Sequence, residues 1–97
     1  MSRDDVKLFC ADAYSQAAFA AYVLGDMTLA SQYQQESLKY HEDSKGFFTL
    51  SKYNSRNEDM INCISNLSKA IEGDPEKEAL VEIDLDFRFS FRKSRTN

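Results

Sequence analysis

The chain has 97 residues, 42% of them hydrophobic and 12% aromatic, with a formal net charge of −4 and a pI of about 4.9. This length predicts one domain, residues 1–97, and the hydrophobic content excludes a disordered chain. The acidic balance argues against direct nucleic-acid binding, because phosphate contact requires a basic surface. It leaves open a basic partner or an ordinary soluble acidic protein.

A first helix is predicted over residues 4–24. Apolar side chains recur there at steps of three and four, which is typical of one face of an amphipathic helix. They are Val6, Phe9, Cys10, Ala13, Ala17, Ala20 and Leu24. Gly25 predicts the end of this helix, and Asp26 predicts the cap of a second helix over residues 26–41. So short a connection predicts an antiparallel helical hairpin.

Residues 14–38 contain a pattern of turn, small and apolar residues. The most informative are Gly25, Asp26, Ala30 and Leu38. In these positions the chain resembles one tetratricopeptide-like helical hairpin. It departs from that family's pattern at Gln34 and Ser37, where the family prefers an aromatic residue and an alanine. The sequence shows no second copy, and one hairpin cannot build the concave groove that such arrays use for binding.

The middle of the chain predicts a short strand and then a third helix. Residues 42–54 hold Thr49 and several aromatic residues, which favour β structure. Ser55 and Glu58 match a capping box, which predicts a helix over residues 56–72. Its buried face is predicted from apolar spacing and comprises Ile61, Ile64, Leu67, Ser68 and Ile71.

The C-terminal quarter has a period of two. Apolar residues occupy every second position, which predicts a half-buried strand over residues 79–92. They are Val81, Ile83, Leu85, Phe87, Phe89 and Phe91. The expected fold is therefore α+β, with three helices packed on a small antiparallel sheet whose main member is this strand. If the strand lacks an internal partner, a homodimer through its edge is expected.

Catalytic and metal-binding motifs are scarce. Cys10 and Cys63 are the only cysteines and His41 is the only histidine, so a zinc site lacks ligands. His41 is flanked by Glu42 and Asp43 in a predicted loop, where a general base is conceivable but a solvated surface histidine is expected. The glycines are isolated rather than grouped in a phosphate loop. We therefore expect no enzyme, no metal and no cofactor. Reduced cysteines and the lack of any stretch of membrane-spanning length favour a soluble cytoplasmic protein with no membrane partner.

Acidic residues gather near the C-terminus: Glu72, Asp74, Glu76, Glu78, Glu82, Asp84 and Asp86. In an extended strand, alternate side chains project from one face at intervals of roughly 6.6 Å. Phosphates along one DNA strand lie roughly 3.4 Å apart along the axis, so a row of carboxylates could occupy a basic groove that binds nucleic acid. The ordinary alternative is a solvated strand face.

In its small size, acidic charge and lack of catalytic motifs, the chain resembles phage-encoded inhibitors of the anti-CRISPR type. The resemblance implies a role in the host cytoplasm, as a DNA mimic that blocks the basic DNA-binding surface of a CRISPR surveillance complex. The carboxylates named above would be the contact residues. Two alternatives stay open: a small adaptor or chaperone that binds a protein segment through its helical hairpin, and a regulatory or antitoxin-like subunit.

Overall fold

The structure is a computed structural model that describes residues 2–76, and this part of the chain contains four α-helices. In chain order they are α1 (Arg3–Val23), α2 (Met27–Tyr40), α3 (Ser44–Arg56) and α4 (Met60–Gly73). Helix α1 pairs with α2, α3 pairs with α4, and α2 packs against α3. The described residues therefore form two successive helical hairpins joined through α2 and α3.

The first hairpin lies where the sequence predicted it. Each end of α1 and α2 falls within one residue of its predicted position. Gly25 has a φ of +87°, a left-handed conformation that glycine adopts without steric cost. The Asp26 carboxylate accepts a hydrogen bond of 3.1 Å from the Leu29 amide, and so it caps α2 as expected.

The predicted strand within residues 42–54 is wrong, because this segment forms α3. Asp43 caps the helix by accepting a hydrogen bond of 2.6 Å from the Gly46 amide. Phe48, Ser51 and Ser55 then fall on one buried side at steps of three and four. Tertiary burial along this side overrides the β preference of Thr49 and the aromatic residues.

The α+β prediction is therefore also wrong. Residues 2–76 contain helices and no strand, so the described part of the chain is all-helical and forms no antiparallel sheet. The only segment that the sequence offered as a partner for the C-terminal strand is a helix. The strand predicted over residues 79–92 itself lies outside the described residues.

Helix α4 begins at Met60 rather than near residue 56. Ser55 is buried inside α3, and Glu58 has a φ of 59°, so the predicted capping box does not form. The Asp59 carboxylate caps α4 instead, by accepting a hydrogen bond of 3.4 Å from the Asn62 amide. A turn with one left-handed residue thus separates α3 from α4.

Helices α1 and α4 bury mainly small residues rather than large apolar ones. Helix α1 buries Ala11, Ala18 and Ala21, whereas its predicted apolar face is largely exposed. Helix α4 buries Cys63, Asn66 and Ala70, whereas Ile61 and Ile64 on its predicted buried face are exposed. Small side chains allow two helix backbones to approach closely, so the contact sides follow the alanines. The predicted buried face of α1 is therefore wrong. That of α4 is wrong at Ile61 and Ile64, whereas Leu67 packs against the cluster of Phe48, Cys63 and Ala70.

Two small apolar clusters hold the hairpins together. Ala18, Ala21, Ala30 and Tyr53 form one cluster, which joins α1, α2 and α3. Phe48, Cys63 and Ala70 form the other, between α3 and α4. None of the helices in residues 2–76 has both the length and the apolar content needed to cross a membrane.

Candidate functional site

A groove runs between α1 and α3, and α2 lies at its floor. It contains one cavity of about 330 Å³ lined by all three helices and an adjoining cavity of about 460 Å³ lined by α1 and α3. Ser15, Lys45 and Thr49 line both cavities, so the two form one continuous depression. We call it the α1–α3 groove. Its size is that of a site for a side chain or a short segment of another molecule.

The walls of the groove come from two helical faces. On α1, Leu8, Ser15 and Phe19 line it, and on α3 Lys45, Thr49 and Tyr53 follow at steps of four, which place them on one side of the helix. Leu8 is 49% exposed and Phe19 is 60% exposed. The α1 wall therefore offers apolar surface to a partner.

The floor of the groove is polar. Ser37 on α2 donates a buried hydrogen bond of 2.6 Å to the Ala11 carbonyl oxygen of α1. Three residues earlier, the Gln34 side-chain amide donates a hydrogen bond of 3.3 Å to the Gly46 carbonyl oxygen of α3. Helix α2 is thus bonded to α1 on one side and to α3 on the other by side chains that also line the groove.

Gln34 is left with an unpaired acceptor. The residue is only 2% exposed, and no described residue donates a hydrogen bond to its Oε1 atom. An enclosed acceptor without a donor costs about 1–3 kcal/mol relative to one that is paired. Gln34, which lines the floor of the groove, therefore holds a buried carbonyl oxygen that no described residue pairs.

The backbone of α3 at Gly46 lies close to side chains of α2. A Cβ atom added at Gly46 would lie 2.7 Å from Leu38 Cδ2 and 3.5 Å from Gln34 Nε2. Glycine at this position lets the first turn of α3 lie directly against α2. The contact sets the position of the α3 wall relative to Gln34.

Tyrosine rings pack between the helices. The Tyr14 ring stacks on the Tyr40 ring at 5.8 Å between centroids and also contacts Tyr33 at 6.3 Å, which closes the α1–α2 hairpin. The Tyr22 and Tyr53 rings lie 5.2 Å apart and join α1 to α3 at the end of the groove. Aromatic pairs stabilise a fold beyond the burial of their surface, so these contacts help to fix the positions of the helices that form the groove.

Charged groups of both signs line the groove. Asp12 accepts a hydrogen bond of 2.9 Å from Gln16 Nε2 on the α1 wall. At the mouth, His41 Nε2 lies 3.6 Å from Asp43 Oδ2, and both side chains are about half exposed. Lys45 is exposed on the α3 wall. A polypeptide carries apolar, donor and charged groups together. This mixed lining therefore fits a polypeptide segment better than it fits a ligand of one uniform charge.

Cys63 is not an activated thiol in this structure. Cys63 is fully buried, and burial raises its pKa from 9.0 to about 11. A protonated, enclosed thiol behaves as a small apolar residue. Within residues 2–76, no three His, Cys, Asp or Glu side chains come together as metal ligands.

The predicted acidic site is only partly described. Glu72 lies exposed in the last turn of α4, Asp74 is the C-cap of that helix, and Glu76 follows in an exposed turn. The Glu76 amide donates a hydrogen bond of 3.2 Å to the Asp74 carboxylate. These three residues are brought together at one end of α4. The other predicted contacts lie outside the described residues: Glu78, Glu82, Asp84 and Asp86.

Comparison with known proteins gives no match to a family model, to a curated protein or to a solved structure.

Sequence reasoning did not identify Gln34 and Ser37 as site residues, although it contained a sign of them. Both positions depart from the tetratricopeptide pattern, and both departures introduce a polar side chain where that family prefers an aromatic residue or an alanine. The structure buries both residues and uses both in bonds between helices. A polar residue at a predicted helix crossing thus indicates a buried hydrogen bond between helices, and this is the sequence signal by which both residues could have been found.

Proposed function

We propose that this chain is a small non-catalytic adaptor of the cytoplasm that binds a segment of another protein in the α1–α3 groove. The observation that carries the proposal is the groove itself, which has an apolar wall and an unpaired buried acceptor at its floor. The segment would place an apolar side chain against Leu8 and Phe19. It would also supply an N–H or O–H donor to Gln34 Oε1.

The second helical hairpin supports this role. One hairpin alone could not form a groove, but two successive hairpins place α1 and α3 on either side of α2. Repeat proteins bind segments in grooves of this origin. The exposure of Phe19 adds support, because aromatic side chains on a recessed surface are frequent anchors of protein interfaces.

The test uses a display library of peptides selected on the immobilised full-length chain. Ser15→Arg places a long side chain between the two cavities, and Gln35→Arg adds the same side chain at an exposed position of α2 outside the groove. We expect selected peptides to lose about tenfold or more in affinity for Ser15→Arg and to bind Gln35→Arg as the wild type. Peptides that bind both variants equally would place recognition elsewhere.

Salt dependence gives a second readout of the same proposal. Binding through apolar contacts and an enclosed hydrogen bond is screened little by ions, so raising the salt concentration about fivefold should change the dissociation constant by less than about threefold. A steep loss of affinity would indicate a charged interface instead.

A charged interface is the second candidate function, in which the acidic residues mimic DNA and inhibit a basic nucleic-acid-binding protein, such as a CRISPR surveillance complex. The last turn of α4 favours it: this turn carries Glu72 and contains no basic residue. Carboxylates near a helix C-terminus oppose the helix dipole at a cost of about 0.3–1 kcal/mol, so stability alone does not account for them.

The two candidates predict opposite sets of sensitive residues. Under the inhibitor hypothesis, replacing Glu82, Asp84 and Asp86 with Lys abolishes binding to the basic partner, with a steep salt dependence. Ser15→Arg then has no effect. Under the adaptor proposal Ser15→Arg weakens binding and the three Lys replacements have no effect. DNA then does not compete for the captured partner. Measuring both variants against one captured partner separates the two functions.

A further inference from the structure

One side of α4 carries a partly exposed apolar stripe. It consists of Ile61, Ile64 and Ile71, and we call it the α4 stripe. Ile61 is 84% exposed and Ile64 is 56% exposed. The adjacent side of α4 packs on α3 through Cys63, Leu67 and Ala70.

A helix with apolar residues on two sides is typical of a helix covered on both sides. Isolated exposed apolar residues are ordinary on protein surfaces, but a contiguous stripe along a whole helix marks a contact surface. The α4 stripe extends over roughly 15 Å from Ile61 to Ile71, at 1.5 Å per residue. Helix α4 is the last described element, so only the chain that follows it or another molecule can cover this side.

The chain that follows α4 has the chemistry needed to do so. Residues 77–97 begin four residues after Gly73, at the end of α4 where Ile71 lies. They contain an apolar residue at every second position from Val81 to Phe91. Residues 77–81 can span up to about 17 Å, so Val81 is able to reach much of the stripe.

We propose that the segment from Val81 to Phe91 packs its apolar side chains on the α4 stripe of the same chain. A short connection favours this occupant over a second copy, because it holds the segment near the stripe at an effective concentration of the order of millimolar. The segment would leave the α1–α3 groove open on the other helices. The proposal is therefore independent of the adaptor function.

The experiment compares two full-length variants with the wild type by limited trypsin digestion. Ile64→Asp places a charge on the α4 stripe, and Phe9→Asp makes a matched change at a position of α1 that is 68% exposed. Cleavage after Arg88, followed by mass spectrometry, reports how well the segment is protected. Because both positions are exposed, both variants should keep the helical circular dichroism of the wild type.

We expect Ile64→Asp to speed cleavage after Arg88 by about tenfold and Phe9→Asp to leave it unchanged. The reciprocal variant Phe87→Ser should raise hydrogen exchange in α4 and not in α1. Equal cleavage rates in all three proteins would overturn the proposal. So would a wild-type dimer in sedimentation that Ile64→Asp converts to monomer, since the stripe would then be covered by a second copy.

Discussion

The Asn66 side-chain amide on α4 donates a hydrogen bond of 2.9 Å to the Asn54 side-chain oxygen on α3. Both residues are almost fully buried, so neither group can exchange its partner for water. Helices α3 and α4 are thus held in one register by a polar pair within a small apolar contact. A buried polar pair has this effect because every other register leaves both groups unpaired.

We expect Asn54→Ala and Asn66→Ala each to lower the free energy of unfolding by about 1–3 kcal/mol, because each leaves the other group buried without its partner. The double variant should lose at least about 0.5 kcal/mol less than the sum of the two single changes. Urea unfolding of the four proteins measures this coupling. Strict additivity would show that the hydrogen bond contributes nothing to stability.

Gly46→Ala tests the close contact between α2 and α3. Inside a helix, replacing glycine by alanine ordinarily adds about 0.5–1 kcal/mol of stability. Here the new methyl group would press on Leu38 and lie 2.9 Å from Asp43 Oδ1, which caps the helix. We expect a net loss of about 1–3 kcal/mol in urea unfolding, as for an overpacked core. A gain in stability would mean that α3 can move away from α2 at little cost.

Gln34→Met separates the stability of the groove floor from its binding. Methionine has a similar length but lacks the unpaired acceptor. The Gly46 carbonyl oxygen loses its bond from Gln34, but it lies inside α3, where a carbonyl oxygen can still accept a hydrogen bond from a backbone N–H of the same helix. We expect the free energy of unfolding to stay within about 1 kcal/mol of the wild type, and segment binding to weaken about tenfold.

Ser37→Ala is the matched control for that change. It removes a buried bond between α1 and α2, and it leaves the Ala11 carbonyl without the Ser37 donor. We expect it to cost about 1 kcal/mol of stability and to affect binding little. If Gln34→Met and Ser37→Ala weaken binding equally, the effect comes from a general loosening of the floor and not from the Gln34 acceptor.

Stability should fall in alkaline solution because of Cys63. Burial raises the pKa of its thiol from 9.0 to about 11, so between these values the thiol ionises in the unfolded chain and stays protonated in the folded one. This stabilising contribution is complete below pH 9.0 and is lost as the pH rises towards 11. The loss should approach roughly 2–3 kcal/mol at the upper end of the window.

Urea unfolding at about pH 8 and about pH 10.5 measures this loss, with Cys63→Ala expected to show a shallower decline than the wild type. Cys10→Ala is the matched control for loss of a thiol, since Cys10 is only partly buried and lies on α1, away from the contact that encloses Cys63. Parallel declines in all three proteins would assign the alkaline loss to other groups.

The sequence identified the first hairpin but mistook α3 for a strand. Ser55 followed by Glu58 satisfied a helix-start pattern, yet the structure places Ser55 inside α3 and starts α4 after Asp59. Both starts are compatible with local capping chemistry. The burial of Asn54 and Ser55 against α4 decides between them, and no local pattern contains that information.

The sequence by itself determined the elements whose causes are local. The left-handed turn at Gly25 and the cap at Asp26 depend on a few neighbouring residues, and they determine where α1 ends and α2 begins. The acidic charge of the C-terminal quarter is likewise visible without a structure.

Only the tertiary structure decided which sides of the helices meet. Periodicity marked the larger apolar side chains as buried, but α1 approaches its neighbours through Ala11, Ala18 and Ala21, because small residues permit the closest packing of helix backbones. Burial is a property of the neighbours that a residue acquires. For the same reason, Gln34 lines a groove because the second hairpin places α3 opposite α1.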